Sequence, residues 1–449
     1  MIWGNVFEEN KMKLNIRPLE KPDRAIFRIL LANALIFILF GLFACGSPGD
    51  AAAGLWKIYT TAEILITDYL EIGGLGGGFL NCGLSMLFSV LLIKFSGADF
   101  NGKAIGCCFI VAGFALFGKN VPTMATIILG VYFYSRFKNE PFKNHIYTAL
   151  FATCLGPIIT HVALNVSVDM LFVRLALAVL MGLFIGFVLP PVAALTANLH
   201  IGMLIFNVGF AAGIIGTVIV AVLKSLGWQF ASVLFWSSGN DMLLGTLISA
   251  LFIGMIITGF VLNGYSFKGL GALSYHSGQS PCDYVILEGL PLTLMNMGVL
   301  GFMAMGYILA VSGPLNGPTI GGILTIVGFG AFGMNYYNVI WGVFGIVLMS
   351  CVSTWSLNDP SILLAVLFCP CISPIAGKHG PFWGIISGML HVCVVCGTAV
   401  NFGWLNLYNN GFAAGLVCIL LLPIIETVEG RKNIQLEDEE NGPLAEINE

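Results

Sequence analysis

Asn101–Asn120 reads NGKAIGCCFIVAGFALFGKN, and Asn316–Asn335 reads NGPTIGGILTIVGFGAFGMN. Asn, Gly, Ile, Gly, Gly, Phe, Phe, Gly and Asn return in the same places, 215 residues on. An internal repeat fixes architecture before any local reading does. Without a gap the match runs from Asp68-Tyr69 over Asp283-Tyr284 to Ser135 over Ser350, with 18 identities in 68 positions. Unrelated apolar segments of this composition would share about five or six. Gly182–Gly213 then lies over Gly384–Gly415 at an offset of 202, both copies closing on N-x-G-F-A-A-G. The first copy carries about 15 extra residues between Ile158 and Met181. The chain is two copies of one unit.

Composition names the solvent. The 449 residues are 57% hydrophobic and 9% charged, with a mean hydropathy of +0.92. A soluble domain carries about 25% charged residues, so this is a polytopic membrane protein that meets a lipid bilayer. A span needs about 20 apolar residues, and such runs fill both copies. Continuous runs of that length are helical, because a barrel alternates in short segments. The expected fold is all-α, with about 10–14 transmembrane or re-entrant helices. A cytoplasmic polar leader occupies 1–24, repeat 1 spans 25–225, repeat 2 spans 226–425, and an acidic tail follows at 426–449. The tail's composition predicts disorder.

Basic residues sort the loops. In repeat 1 they stand before the first helix, at Lys94 and Lys103, and at Arg136, Lys138 and Lys143. The matching loops of repeat 2 hold none; its Lys268 and Lys378 fall on loops of the other parity. Lys and Arg favour cytoplasmic loops. The second copy is therefore expected upside down, with about seven crossings per unit, or five if two segments are re-entrant. Lys119 and Lys224 run against the pattern. Both termini should be cytoplasmic, in the cell membrane.

Inverted copies place a solute site at their interface near the midplane, lined by broken helices. The candidate breaks are Asn101-Gly102 and Asn316-Gly317, followed by Asn120 and Asn335, and the Asn-x-Gly breaks at Asn207 and Asn409. Asn-Gly tolerates positive φ and so marks a turn, which is equally the mark of a plain loop. Asn81 and Asn296 lie inside apolar helices. An amide there either bonds a neighbouring helix or faces a pore. Asp68-Tyr69 and Asp283-Tyr284 precede Gly-rich helix starts. They read as helix caps or as gating and ion-coupling residues at opposite mouths. His200 and His391 read as satisfied buried histidines or as a proton relay.

No G-x-S-x-G, G-x-x-x-x-G-K-[ST] or H-E-x-x-H occurs, so no enzyme is expected. Cys393-x-x-Cys396 near His391 has no second ligand pair, and neither a metal nor another cofactor is expected. No basic, aromatic-interleaved surface points to nucleic acid. Few charges lie in the apolar runs. The solute is thus expected to be a small molecule or ion: neutral, zwitterionic, a weak acid or cation-coupled. Oligomeric state stays open, a homo-oligomer included.

The duplicated N-G-x-x-I-G … G-F-x-x-F-G-x-N and N-x-G-F-A-A-G motifs resemble a family of duplicated bacterial integral membrane proteins of unknown function, over about 25–425. That resemblance implies tandem membrane repeats and no particular activity. The pattern is similar, more distantly, to urea transporters, which have two inverted repeats around a narrow pore. Asn101-Gly102 and Asn316-Gly317 stand where Asn-Pro is expected in that family, so this likeness is architectural. The leading expectation is a secondary transporter with a site between the repeats. The alternatives are a passive channel or uniporter for a small polar solute, and a non-transporting membrane sensor or scaffold.

Overall fold

A computed structural model describes residues 22–441 apart from 45, 63 and 167. The leader up to residue 21 lies outside the described residues. What is described is helical, with one isolated β-bridge, Thr67 to Phe235.

Unit 1 opens with α1 (Pro22–Phe43) and the short α2 (Pro48–Tyr59). It continues through α3 (Tyr69–Ser96), α4 (Gly102–Phe114) and α5 (Val121–Phe137). It closes with α6 (Ile146–Ala152), α7 (Gly156–Asn165), α8 (Leu171–Leu199) and α9 (Asn207–Ser225). Unit 2 follows the same order, with a 3-10 turn at Leu270–Tyr275 in place of α2, as α10 (Asp241–Leu262), α11 (Tyr284–Leu287), α12 (Leu290–Ala310), α13 (Gly317–Phe329) and α14 (Tyr336–Val352). It ends with α15 (Pro360–Phe368), α16 (Ser373–His379), α17 (Pro381–Thr398) and α18 (Asn409–Asn441). Ten stretches, five per unit, are long and apolar enough to cross a bilayer, with α6–α7 and α15–α16 each counted as one. That matches five crossings per unit with a re-entrant pair between the second and third.

The duplicated motif supplies one helix of each pair, α4 in unit 1 and α13 in unit 2. α4 and α13 have 13 residues each, about 20 Å, too short for a core of about 30 Å. They lie antiparallel at the centre of the molecule, glycine to glycine. Gly106 meets the Gly328 carbonyl, and Gly113 and Gly321 each abut the other's carbonyl. Small residues let helix backbones approach this closely. All of α13, and all of α4 except Lys103, is buried. Antiparallel packing of equivalent helices across the interface is what inverted repeats require. α1 against α3 and α10 against α12 repeat one another at the periphery. There Gly41 and Gly83 do for one pair what Gly259 and Gly298 do for the other.

Hydrogen bonds tie one set of helix ends into a common face. The Phe100 N–H donates to Asp23, the Tyr147 hydroxyl to the Asp99 carbonyl, and the Gly102 N–H to Asp283. The Ser280 N–H donates to the Gly202 carbonyl, and His379 pairs with Glu429. Lys94, Lys103, Arg136, Lys138, Lys143, Lys268 and Lys378 all lie toward this basic face. The described ends of α1 and α18 share it. The linker joining the units, 226–240, covers the opposite face, the linker face.

Two expectations need correction. Pro190-Pro191 to Asn198 reads as a non-helical or half-helical stretch, yet α8 continues through it to Leu199. The two prolines remove the N–H donors to the Gly186 and Phe187 carbonyls, a loss that membrane helices tolerate, and the Asn207 amide and the Thr196 hydroxyl both donate to the Ala193 carbonyl one turn further on. The tail expected to be unstructured is helical as far as Asn441. Residues 431–440, RKNIQLEDEE, are dominated by strong helix formers. The insertion in repeat 1 lengthens α7 and α8 relative to α16 and α17.

Candidate functional site

Structure gives the duplicated polar residues duplicated hydrogen bonds. Asn101, Asn120, Asn316 and Asn335 are the N-caps of α4, α5, α13 and α14, each side chain accepting from first-turn N–H groups. Gly102 and Gly317 are the first residues of their helices. Their missing side chains admit Asp283 and Asp68 respectively. Asn81 donates to the Ala115 and Lys119 carbonyls at 2.7 Å each. Asn296 donates to Gly330 and Met334 at 2.7 and 2.9 Å. These are the orphan carbonyls where α4 and α13 end. Asn207 donates to Ala193 and accepts from Thr196, and Asn409 repeats this with Val395 and Thr398.

The aspartates act across the repeat boundary. Asp68 caps its own helix through Leu70 N–H, and also accepts from the Gly317 N–H of α13 and from the Ser237 N–H and hydroxyl. Asp283 accepts from Val285 and Ile286, and from the Gly102 N–H of α4. Each unit thus holds the N-terminus of the other unit's central helix, where a carboxylate is favoured by the helix dipole. Burial pushes both carboxyls above the usual carboxylate range, against the pull of those donors. The Tyr69 N–H donates to the Leu116 carbonyl and the Tyr284 N–H to that of Ala331. The Tyr284 hydroxyl accepts from Asn335.

The space lies elsewhere. A cavity of about 600 Å³ opens among α4, α5, α6, α8, the 200–209 break and the Ser280-Pro281 loop. Lys103, Glu140 and His145 stand at its basic-face end. Tyr408, from unit 2, stands among its lining residues too. Glu140 pairs with His145 at 2.7 Å. His200 bonds Asn207 at 2.9 Å. Of the residues singled out by motif, Asn207 lines this cavity; Asn81, Asn296 and both aspartates do not.

Aromatic rings show how the two ends differ. Phe151, Phe206, Phe329 and Phe332 line the cavity. Their repeat mates are Phe368, Tyr408, Phe114 and Phe117, at the linker-face end of α4. The Phe114–Phe117 rings stack at 4.6 Å, while Phe329–Phe332 are 6.5 Å apart. Phe114–Phe368 are at 5.2 Å against 6.1 Å for Phe151–Phe329. Phe114–Tyr408 and Phe206–Phe329 are nearly equal, at 4.8 and 4.7 Å. One quartet is closed and buried; its mate is spread around the cavity. Lys119, fully buried, donates to the Tyr408 hydroxyl at 2.7 Å beside the closed quartet. Neither residue stands out in the duplicated motifs, although Lys119 runs against the basic-loop pattern. The signal was available in the aligned copies, where they replace Met334 and Phe206.

These features define a class: a polytopic helical membrane protein of two inverted units crossed through short central helices, with a cavity open on one face. The chain belongs to the family described as "Protein of unknown function (DUF1576)", whose pattern matches residues 47–225 and again 262–427. No curated protein and no solved structure matches the chain.

Proposed function

We propose that the protein is a secondary transporter that moves a small solute by alternating access between its inverted units. One observation carries this: a cavity that opens on the basic face and ends at a closed aromatic quartet, whose repeat mate lies spread around that same cavity. Equivalent sequences in two conformations are what a two-state carrier holds at any moment. Exchanging the conformations of the units would close the Phe329 quartet and open the Phe114 quartet. Access would pass to the other face around a fixed midplane site. The basic face is cytoplasmic on this reading, because it gathers most of the Lys and Arg. A passive channel, the alternative, needs a continuous path, and the Phe114 quartet stands across it.

The symmetry mates Ala197 and Ala399 provide the test. Ala197 lines the cavity; Ala399 is 9% exposed. Single cysteines at each, in a background stripped of native cysteine, are labelled with an impermeant reagent in oriented membranes. Alternating access expects Ala197→Cys to react from the basic face alone and Ala399→Cys, more slowly, from the linker face alone. Reaction of either cysteine from both faces would establish a channel. No reaction at 399 under any condition, with no flux in liposomes, would establish a non-transporting protein.

A further inference from the structure

Behind the inner end of the cavity, outside its lining and joined to it through Tyr408, lies a charge that the fold does not answer. Lys119 lies in the turn between α4 and α5 with no solvent exposure. Its ammonium donates to the Tyr408 hydroxyl at 2.7 Å and stands 4.5 and 5.7 Å from the Tyr408 and Phe114 ring centres. Among the described residues no carboxylate is within ion-pair reach of it. The ion pairs there are His145–Glu140, His276–Glu288 and His379–Glu429, all toward the basic face. A buried ammonium without an anion is unfavourable in a membrane interior, and two rings and a hydroxyl offset only part of that. Tyr408 lines the cavity, and a hydroxyl that accepts from an ammonium still has its own proton to donate.

Two further observations point the same way. First, Lys119 and Tyr408 break the repeat: their mates Met334 and Phe206 do the same packing without charge, so the architecture does not need a lysine there. Second, α9 begins at the cavity, with Asn207, Val208 and Gly209 in its lining. The positive end of that helix therefore faces the same space. The acidic residue that reaches the cavity is Glu140, already paired with His145 at the outer end. The remaining walls are largely apolar, Ile110, Ala193 and Phe329 among them.

We propose, resting on the transporter reading, that the solute is a small organic monoanion. Its single carboxylate is received by the Tyr408 hydroxyl, with the Lys119 ammonium behind it, and its apolar body lies against Phe206 and Phe329. The inner end offers one ammonium for one negative charge; Lys103, the other lysine at this cavity, stands at the outer end over the Tyr147 ring. A second carboxylate at the inner end would lie among phenylalanines.

The test uses the purified full chain in nanodiscs and measures stabilisation against heat by butyrate and benzoate, by their neutral amides butyramide and benzamide, and by succinate. The carboxylates are expected to stabilise at concentrations at least about tenfold lower than their amides or succinate, as truncating a buried charge pair does. Lys119→Met is expected to lose at least about tenfold in benzoate affinity and Tyr408→Phe a smaller factor, while Lys119→Arg retains a preference for benzoate over benzamide. Methionine is what the other unit carries at this place, so K119M is expected to fold, and its elution profile checks that. Equal binding of acid and amide, binding of neither, or wild-type benzoate affinity in K119M would overturn the assignment. The labelling pattern at 197 and 399 does not depend on solute charge. Intact opposite-face labelling without a carboxylate preference would sink the anion alone. A carboxylate preference with two-face labelling would sink alternating access alone.

Discussion

At the scale of the residue, the duplicated asparagines join helices. Asn81 and Asn296 each bring two donors to two carbonyls that end a buried helix, and each leaves its own Oδ1 without a partner. Removing the amide strands two carbonyls away from water, at about 1–3 kcal/mol for each unsatisfied group. Asn81→Ala and Asn296→Ala should therefore lower the melting temperature of the detergent-solubilised protein to a similar extent. Asn81→Asp should do no better, since a carboxylate cannot donate. A wild-type melting curve combined with lost flux would restore the pore-lining reading. The aspartates sharpen a different expectation. As simple caps they would tolerate asparagine. But both oxygens of Asp68 and of Asp283 accept bonds, so an amide NH₂ must face an N–H in either protein. Asp68→Asn and Asp283→Asn should each lose about 1–3 kcal/mol, read as earlier unfolding. Sequence could show that these residues mattered twice over. It could not show that each aspartate serves the other unit's helix, because that partnership exists only once the repeats are packed.

At the scale of the element, glycines at the α4–α13 crossing set how near the units can come. A Cβ on Gly113 or Gly321 would meet the facing backbone carbonyl, whereas one on Gly106 finds its nearest neighbour at 3.5 Å, an ordinary contact. Overpacking of this kind costs about 1–3 kcal/mol. Gly113→Ala and Gly321→Ala should destabilise and Gly106→Ala should be nearly silent, an ordering that thermal unfolding of the three variants checks. Destabilisation by G106A equal to that by G113A would mean the helices cross elsewhere. The helices themselves were legible in the sequence from their apolar runs, while the Asn-Gly pairs that read there as turns or breaks are helix caps in the fold. The passage of α8 through Pro190-Pro191 was not. Proline signals a break locally, yet the helix runs on through both prolines.

At the scale of the whole molecule, inversion was legible from the parity of the basic loops, and the cavity was not. The motif-bearing residues are those the fold needs twice, so they build the crossing. The space appears where equivalent segments adopt different conformations, which no repeat alignment reveals. Differences between the copies carry more about the solute, and Lys119 over Met334 is the plainest of them. Sidedness decides whether this geometry is used as proposed. Lys138 follows α5 toward the basic face, and Ser353 follows its mate α14 toward the linker face. Cysteines at these two positions, in a background stripped of native cysteine, should respond oppositely to an impermeant maleimide on intact cells. Position 353 should label, and position 138 should label only after the cells are opened, because the basic face is the one retained inside. Labelling of 138 alone on intact cells would keep the inversion but reverse the orientation. The cavity would then face outward and the same quartets would gate uptake from the opposite resting state. Labelling of both would place α5 and α14 on one side, which the antiparallel α4–α13 contact cannot accommodate.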